Sequence, residues 1–275
     1  MMNLDYQRAL LFAAGALLFL SFGFTEMMGS DLWWHLAAGR ELVQTQTLWM
    51  VDQWSFPGEP RDWLNHEWLA DLIYHGWVQL FPVETLVYWK WLVLLATFGT
   101  LQWVLYRETG SPLAALLCAV LAIAIAEPFL DVRPHLYSLF NYAVLLALVL
   151  RRHAPTWALM LLFLVWVNLH GGFFFGLMAL GMVLFPWRDF SWPRFRGAFF
   201  VGLACLLAAA LNPSGFKTFL YPLTYAFDAS SPYRQLGEWL PPFEKGGIQA
   251  PLFAWVMWLP MLTLAYLVPA VRRHT

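Results

Sequence analysis

The chain has 275 residues, 60% hydrophobic and 12% charged, and its 16 basic and 17 acidic side chains leave a net charge of −1. Soluble domains are about 45–50% apolar and about 25% charged. The composition therefore excludes an ordinary cytosolic domain, a disordered chain and a nucleic-acid binder that relies on a basic surface. Seventeen Trp and 23 Phe are too many for a water-facing surface, so the chain reads as an all-α, polytopic membrane protein. Cys118 and Cys205 both sit in apolar runs, where cysteine acts as a small hydrophobic residue.

A helix crosses a bilayer with about 20 apolar residues. Residues 9–28 are the first such run. It is expected as a retained span rather than a signal peptide, because Arg8 is offset by Asp5 and no small-x-small site precedes Asp31. Further runs cover 85–106, 112–129, 135–150, 156–169, 172–187, 197–211 and 251–270, which gives eight spans in a single domain, residues 1–275. Arg8, Arg107, Arg151, Arg152, Arg188, Arg194, Arg196, Arg272 and Arg273 fall at the ends that this count puts on one side. Lys and Arg mark the cytoplasmic face, so both termini are expected inside. Most carboxylates, among them Glu26, Glu41, Asp52, Glu67 and Asp131, fall on the other side and identify the functional face.

An outer loop, residues 29–84, joins the first two spans. A helix is expected from Asp31 to Gln44 with Ser30 as its N-cap, which sets Asp31 and His35 one turn apart on one face. Residues 52–60 are turn-rich. Residues 66–81 fit an amphipathic helix lying in the interface: Glu67, Asp71, His75 and Gln79 form one i, i+4 stripe, with Trp68, Leu69, Leu72, Ile73 and Trp77 on the other side. Seven Trp between positions 33 and 77 hold this loop at the headgroup level.

Three later span ends bring polar groups to the same side: Arg133-Pro134-His135, Asn168-Leu169-His170-Gly171-Gly172 and Asn212-Pro213-Ser214-Gly215. Each candidate has a bland reading beside the functional one. Asp31 complements a helix dipole; Arg133 and His135 serve equally as snorkelling anchors or as phosphate ligands. Asn168 and His170 satisfy backbone freed at two glycines, or they meet substrate. Two motif spacings are set aside. His66 and Asp71 have the H-x-x-x-x-D spacing of glycerolipid acyltransferases but no α/β domain around them, and His66-Glu67 opens a zinc motif that fails at Ala70.

The run Asp31-Leu32-Trp33-Trp34-His35-Leu36-Ala37-Ala38-Gly39-Arg40, then Trp63-Leu64-Asn65-His66-Glu67-Trp68-Leu69, Arg133-Pro134-His135-Leu136 and Trp166-Val167-Asn168-Leu169-His170-Gly171-Gly172, resembles the glycosyltransferase family 39-like membrane proteins of bacteria, within the GT-C superfamily. The resemblance covers roughly positions 9–240, and this sequence is shorter at its C-terminal end than most of those relatives. It implies a multi-span transferase of the bacterial inner membrane, taking a polyprenyl-phosphate-linked sugar at the periplasmic face for an envelope acceptor. By position, Asp31 takes the place of the acidic residue that acts as base or helps hold a metal, and Arg133 and His135 take the place of phosphate ligands. Gly29-Ser30 precede Asp31 where many GT-C members carry a paired acidic motif, so the cofactor stays unknown and a divalent metal lacks that support.

Such a transfer needs a base for the acceptor hydroxyl, a positive charge on the departing phosphate and a groove for the prenyl chain. Asp31 is the first choice of base, with Asp52 and Glu67 in reserve. Arg133 offers a bidentate fork for phosphate, and His135 and His170 offer further donors; His35, His66 and Asn168 complete the substrate-binding set. Two other classes compete: a transporter of lipid-linked sugars, which would carry polar residues near the bilayer midplane, and a non-catalytic subunit of an envelope assembly with a membrane partner. The topology is testable by single-cysteine labelling after replacement of Cys118 and Cys205. A cysteine at Asp189 should label only from the cytoplasmic side and one at Glu59 only from outside; labelling of both from one side defeats the eight-span arrangement.

Overall fold

The computed structural model describes residues 4–24, 31–53, 61–63, 65–150, 154–187, 189–227, 236–237, 240 and 244–248. Among the described residues, ten α-helices run in the order α1 Leu4–Phe22, α2 Asp31–Thr45, α3 Trp68–Leu80, α4 Leu86–Thr109, α5 Pro112–Ala126, α6 His135–Val149, α7 Thr156–Leu169, α8 Phe173–Leu184, α9 Trp192–Ala209 and α10 Lys217–Phe227. Between α2 and α3, the short strands β1 (Met50–Asp52) and β2 (Arg61–Trp63) pair antiparallel, with Met50 opposite Trp63 and Asp52 opposite Arg61. The described residues otherwise form an all-α fold.

Local chemistry sets the breaks. Gly110, at φ 68°, ends α4 in the left-handed region. Ser111 then accepts a hydrogen bond from the Ala114 N–H at 3.2 Å, and Pro112 opens α5, where its missing donor costs nothing. α7 stops at His170, whose extended backbone leads into Gly171-Gly172.

Helices α1, α4 and α5 close around Phe19, Leu94, Phe98, Ala119 and Ile123. Helices α7, α8 and α9 close around Phe163, Trp166, Phe173, Leu180 and Cys205. α6 joins the two groups by packing on α4, α7 and α8. Across one end of this bundle lies a roof made of α2, α3 and the β-ribbon, seated on Leu32, Ala70, Tyr74, Leu86 and Tyr137. Among the described residues one helical stretch, Pro112–Phe129, is long and apolar enough to cross a membrane alone; α6, α7 and α8 are apolar but shorter.

Seven of the eight expected apolar runs form helices, and the eighth, 251–270, lies outside the described residues. α1 and α9 begin five residues earlier than expected, because polar residues in a first turn are compatible with a helix. The ribbon and α10 were not expected: three-residue strands carry no readable alternation, and Pro222 interrupts the α10 pattern. The largest departure concerns the stripe on α3. Its Asp71 does not face the interface but is fully buried against α2.

α2 and α3 approach closely at Gly39, where a Cβ would strike the Asp71 carbonyl and come within 2.6 Å of the His75 Cβ. A backbone atom cannot yield there as a flexible side chain would. Gly39→Ala should therefore lower stability by about 1–3 kcal/mol, the usual range for overpacking. In α8, Gly181 has open space around it, and Gly181→Ala should be neutral or slightly stabilising. Thermal unfolding of the two purified variants in the same detergent checks the contrast.

Candidate functional site

The seam between the roof and the bundle begins with a buried polar lock. His35 is 1% exposed and Asp71 0%. His35 Nδ1 lies 2.6 Å from Asp71 Oδ1, and Asn65 Nδ2 donates to Asp71 Oδ2, also at 2.6 Å. Asn65 Oδ1 accepts the Glu67 N–H at 3.0 Å, so the same side chain sets the entry to α3. Trp34 stacks on the His35 ring at 3.7 Å between centroids. Burial pushes the Asp71 carboxyl up, and the bonds from His35 and Asn65 oppose that push.

Glu67 stands at the open end of this lock, with its side chain 12% exposed. Its Oε1 is 3.6 Å from His170 Nε2 and 3.8 Å from His66 Nε2, distances that a bridging oxygen would span better than a direct bond. Burial is the main cause that raises the Glu67 carboxyl from 4.5 to about 7; Asp71 and Asp31 add to it, while His35 and Arg133 pull it back.

The His170 tautomer follows from its neighbours. The Gly172 N–H donates to His170 Nδ1 at 3.0 Å, and the Ser138 hydroxyl lies 2.7 Å from the same nitrogen. Trp166 Nε1–H donates to Ser138 Oγ at 2.7 Å, which turns the Ser138 proton toward His170. With Nδ1 accepting, the ring proton sits on Nε2 and faces Glu67. Burial holds His170 well below the usual imidazole range, so the ring is neutral. Gly172 is required here, since a Cβ would come within 2.8 Å of the Ser138 Cβ.

Beside this pair lies a charged group from the loop before α6. Arg133 Nη2 meets Asp31 Oδ2 at 2.6 Å, and its Nε is 3.8 Å from Asp131 Oδ2. His135 Nε2 is 3.3 Å from Asp131 Oδ1 and also bonds the Phe129 carbonyl. The rings of His135 and His170 are 6.4 Å apart and link the two halves.

The structure thus brings Asp31, Glu67, His66, Arg133, His135 and His170 to one end of the bundle. It uses His35 to hold α2 against α3. It uses Asn168 as a clamp: Oδ1 accepts from Trp68 Nε1 at 2.7 Å, and Nδ2 donates to the Leu164 and Leu211 carbonyls. Asp52 lies on β1, opposite Arg61. Sequence reasoning missed Asn65, Asp71, Asp131 and Ser138 as site partners. Ser138 falls one turn after His135 on α6, and Asp131 two residues before Arg133, so spacing alone could have added both. Among the described residues no group of three His, Cys, Asp or Glu side chains is arranged to hold a metal ion.

Comparison of the chain with known protein families, with curated proteins and with solved structures finds no match.

The raised Glu67 carboxyl has a signed consequence for stability. Between about pH 4.5 and 7 the folded protein keeps a proton on Glu67 that the unfolded chain has released. Stability from this group therefore falls as pH rises through that window and stays low above it, by roughly 3 kcal/mol for a shift of this size. Glu67→Gln removes the effect. The melting temperature of the variant relative to wild type should rise from pH 5 to pH 8; a difference that stays flat over this range would mean that Glu67 is ionised throughout.

Proposed function

We propose that the chain is a polytopic membrane protein that transfers a sugar from a polyprenyl-phosphate-linked donor to a hydroxyl of an envelope acceptor, at the periplasmic face of the bacterial inner membrane. The observation that carries the reading is Glu67, a carboxyl with a pKa of about 7 set between two imidazoles and next to the Asp31–Arg133 pair. Two further features support it: the run of motifs from Asp31 to Gly172, and the apolar character of the bundle surface. Leu117, Trp157, Leu161, Phe175, Met178 and Phe199 are all exposed there, which suits lipid and not water.

In this reaction the acceptor hydroxyl gives its proton to the Glu67 carboxylate. The acceptor oxygen bonds the anomeric carbon as the bond from that carbon to the phosphate oxygen breaks, and the electron pair leaves on the phosphate. A base with a pKa near 7 is half ionised at neutral pH and still accepts a proton well. This favours Glu67 over Asp31 for the role, because Asp31 is engaged by the Arg133 guanidinium. Arg133 stabilises the charge that develops on the phosphate, and neutral His170 donates from Nε2. The tight Asp31–Arg133 pair also favours a second reading, a non-catalytic subunit in which the two residues clamp the roof to α6.

The test is reconstitution of the full chain with polyprenyl-phosphate hexoses and pentoses, read as release of free polyprenyl phosphate. Turnover should rise with pH along a limb centred near 7, and Glu67→Gln should lose about 100-fold or more. Glu41→Gln, in the same loop, should retain it. Turnover by Glu67→Gln equal to wild type removes Glu67 from the chemistry; absence of turnover with every donor favours the subunit reading.

A further inference from the structure

The stripe on α3 does not end at the lock. Beyond Asp71 it continues with His75 and Gln79, and these two, with Val78, form one wall of an open groove of about 310 Å³. The facing wall is the stripe of α2 made by Trp33, Leu36, Ala37 and Arg40. Its volume is at the small end of ligand pockets, about 300–1,000 Å³, which suits a headgroup rather than a whole lipid. Gly39 brings the two helices together at the floor of the groove.

The lining is one-sided in charge. Among the described residues, Arg40 and His75 are the ionisable groups that line it, and no carboxylate does. The two line the same groove from opposite helices, and burial, with the Arg40 charge adding to it, lowers the His75 ring from its usual range. Around them the walls are apolar: Trp33 is 62% exposed, and Leu80 and Phe81 lie exposed just past Gln79. A cation in an apolar cleft, with an exposed indole and two exposed hydrophobic residues beside it, matches the headgroup boundary of a bilayer.

We propose that the groove between α2 and α3 binds the phosphate of an anionic glycerophospholipid from the surrounding leaflet. Arg40 forks the phosphate oxygens, His75 and Gln79 donate to the phosphate or the glycerol, and the acyl chains leave across Trp33 and Leu80. The proposal rests on the membrane reading above but not on glycosyl transfer, and it assigns the two stripes a ligand separate from any donor at Glu67.

The experiment uses the full chain in neutral detergent, titrated with dioctanoyl phosphatidylglycerol, dioctanoyl phosphatidylcholine and inorganic phosphate, with binding read by thermal shift and by native mass spectrometry. Retention in vesicles through an alkaline wash reads the membrane assignment separately. Wild type should prefer phosphatidylglycerol to phosphatidylcholine by about fivefold, the factor for one cation facing an anionic lipid. Arg40→Gln should abolish that preference, Arg40→Lys should keep most of it, and Arg194→Gln, at an exposed arginine on α9, should leave it unchanged. Equal binding of the two lipids by wild type overturns the proposal, as does a preference that survives Arg40→Gln combined with His75→Gln. Competition by inorganic phosphate at the same concentration as the lipid overturns the choice of a lipid. A chain that is washed off vesicles but still prefers phosphatidylglycerol upholds the groove and refutes the membrane reading.

Discussion

The buried carboxylate of Asp71 is the constraint on which the roof depends. A lone charge or an unbonded carboxyl at that depth would cost several kcal/mol, and both oxygens are instead held at 2.6 Å by His35 and Asn65. Each partner comes from a different segment: His35 from α2, Asn65 from the link between the ribbon and α3. Satisfying one acid therefore fixes three pieces of chain against one another. Tyr74, stacked on Tyr137 of α6 at 5.8 Å, carries the arrangement down into the bundle. Such a lock is specific more than it is strong. An apolar pair of the same shape could stabilise as well, but it would not dictate which faces of α2 and α3 meet.

Burial, modulated by the charges gathered there, sets the protonation pattern of the site. Arg133 faces Asp31 directly and Asp131 at longer range, and His170 is kept neutral by burial. Burial raises the Glu67 carboxyl most, Asp71 and Asp31 add to it, and His35 and Arg133 only partly offset the rise. A carboxyl that titrates near neutrality thus follows first from burial and then from the balance of charges in the seam.

Much of the fold was legible because long apolar runs leave few alternatives to buried or lipid-facing helices: α4 to α8 start within one residue of their expected positions. The stripe on α3 was legible as a stripe but not in its direction. Periodicity tells which residues share a face; it does not tell what covers that face, and α2 lies 36 positions before Asp71 in the pairing that matters. His35 and Asn168 were recognised as unusual polar residues, yet their hydrogen bonds are spent on the fold, across gaps in sequence that no local pattern reports. Asp31, Glu67 and Arg133 stand at or just before the N-terminal ends of α2, α3 and α6, and the sequence reading placed all three on one side.

The Asp31–Arg133 pair bears directly on how a phosphate would arrive in the proposed reaction. A guanidinium held at 2.6 Å by a carboxylate already has its best partner in place. An incoming phosphate must share it or displace Asp31, and displacement costs little only if Asp31 finds water or another donor. At 31% exposure for its side chain, Asp31 has that access, whereas Asp71 has none. The two acids of the roof therefore divide the work by burial. The buried one holds α2 against α3, while the partly exposed one would, in the proposed reaction, yield Arg133 to an incoming phosphate. In the proposed reaction the pair would hold Arg133 in place before the donor binds, and a displaced Asp31 carboxylate would make the surroundings of Glu67 more negative, which favours proton uptake by Glu67.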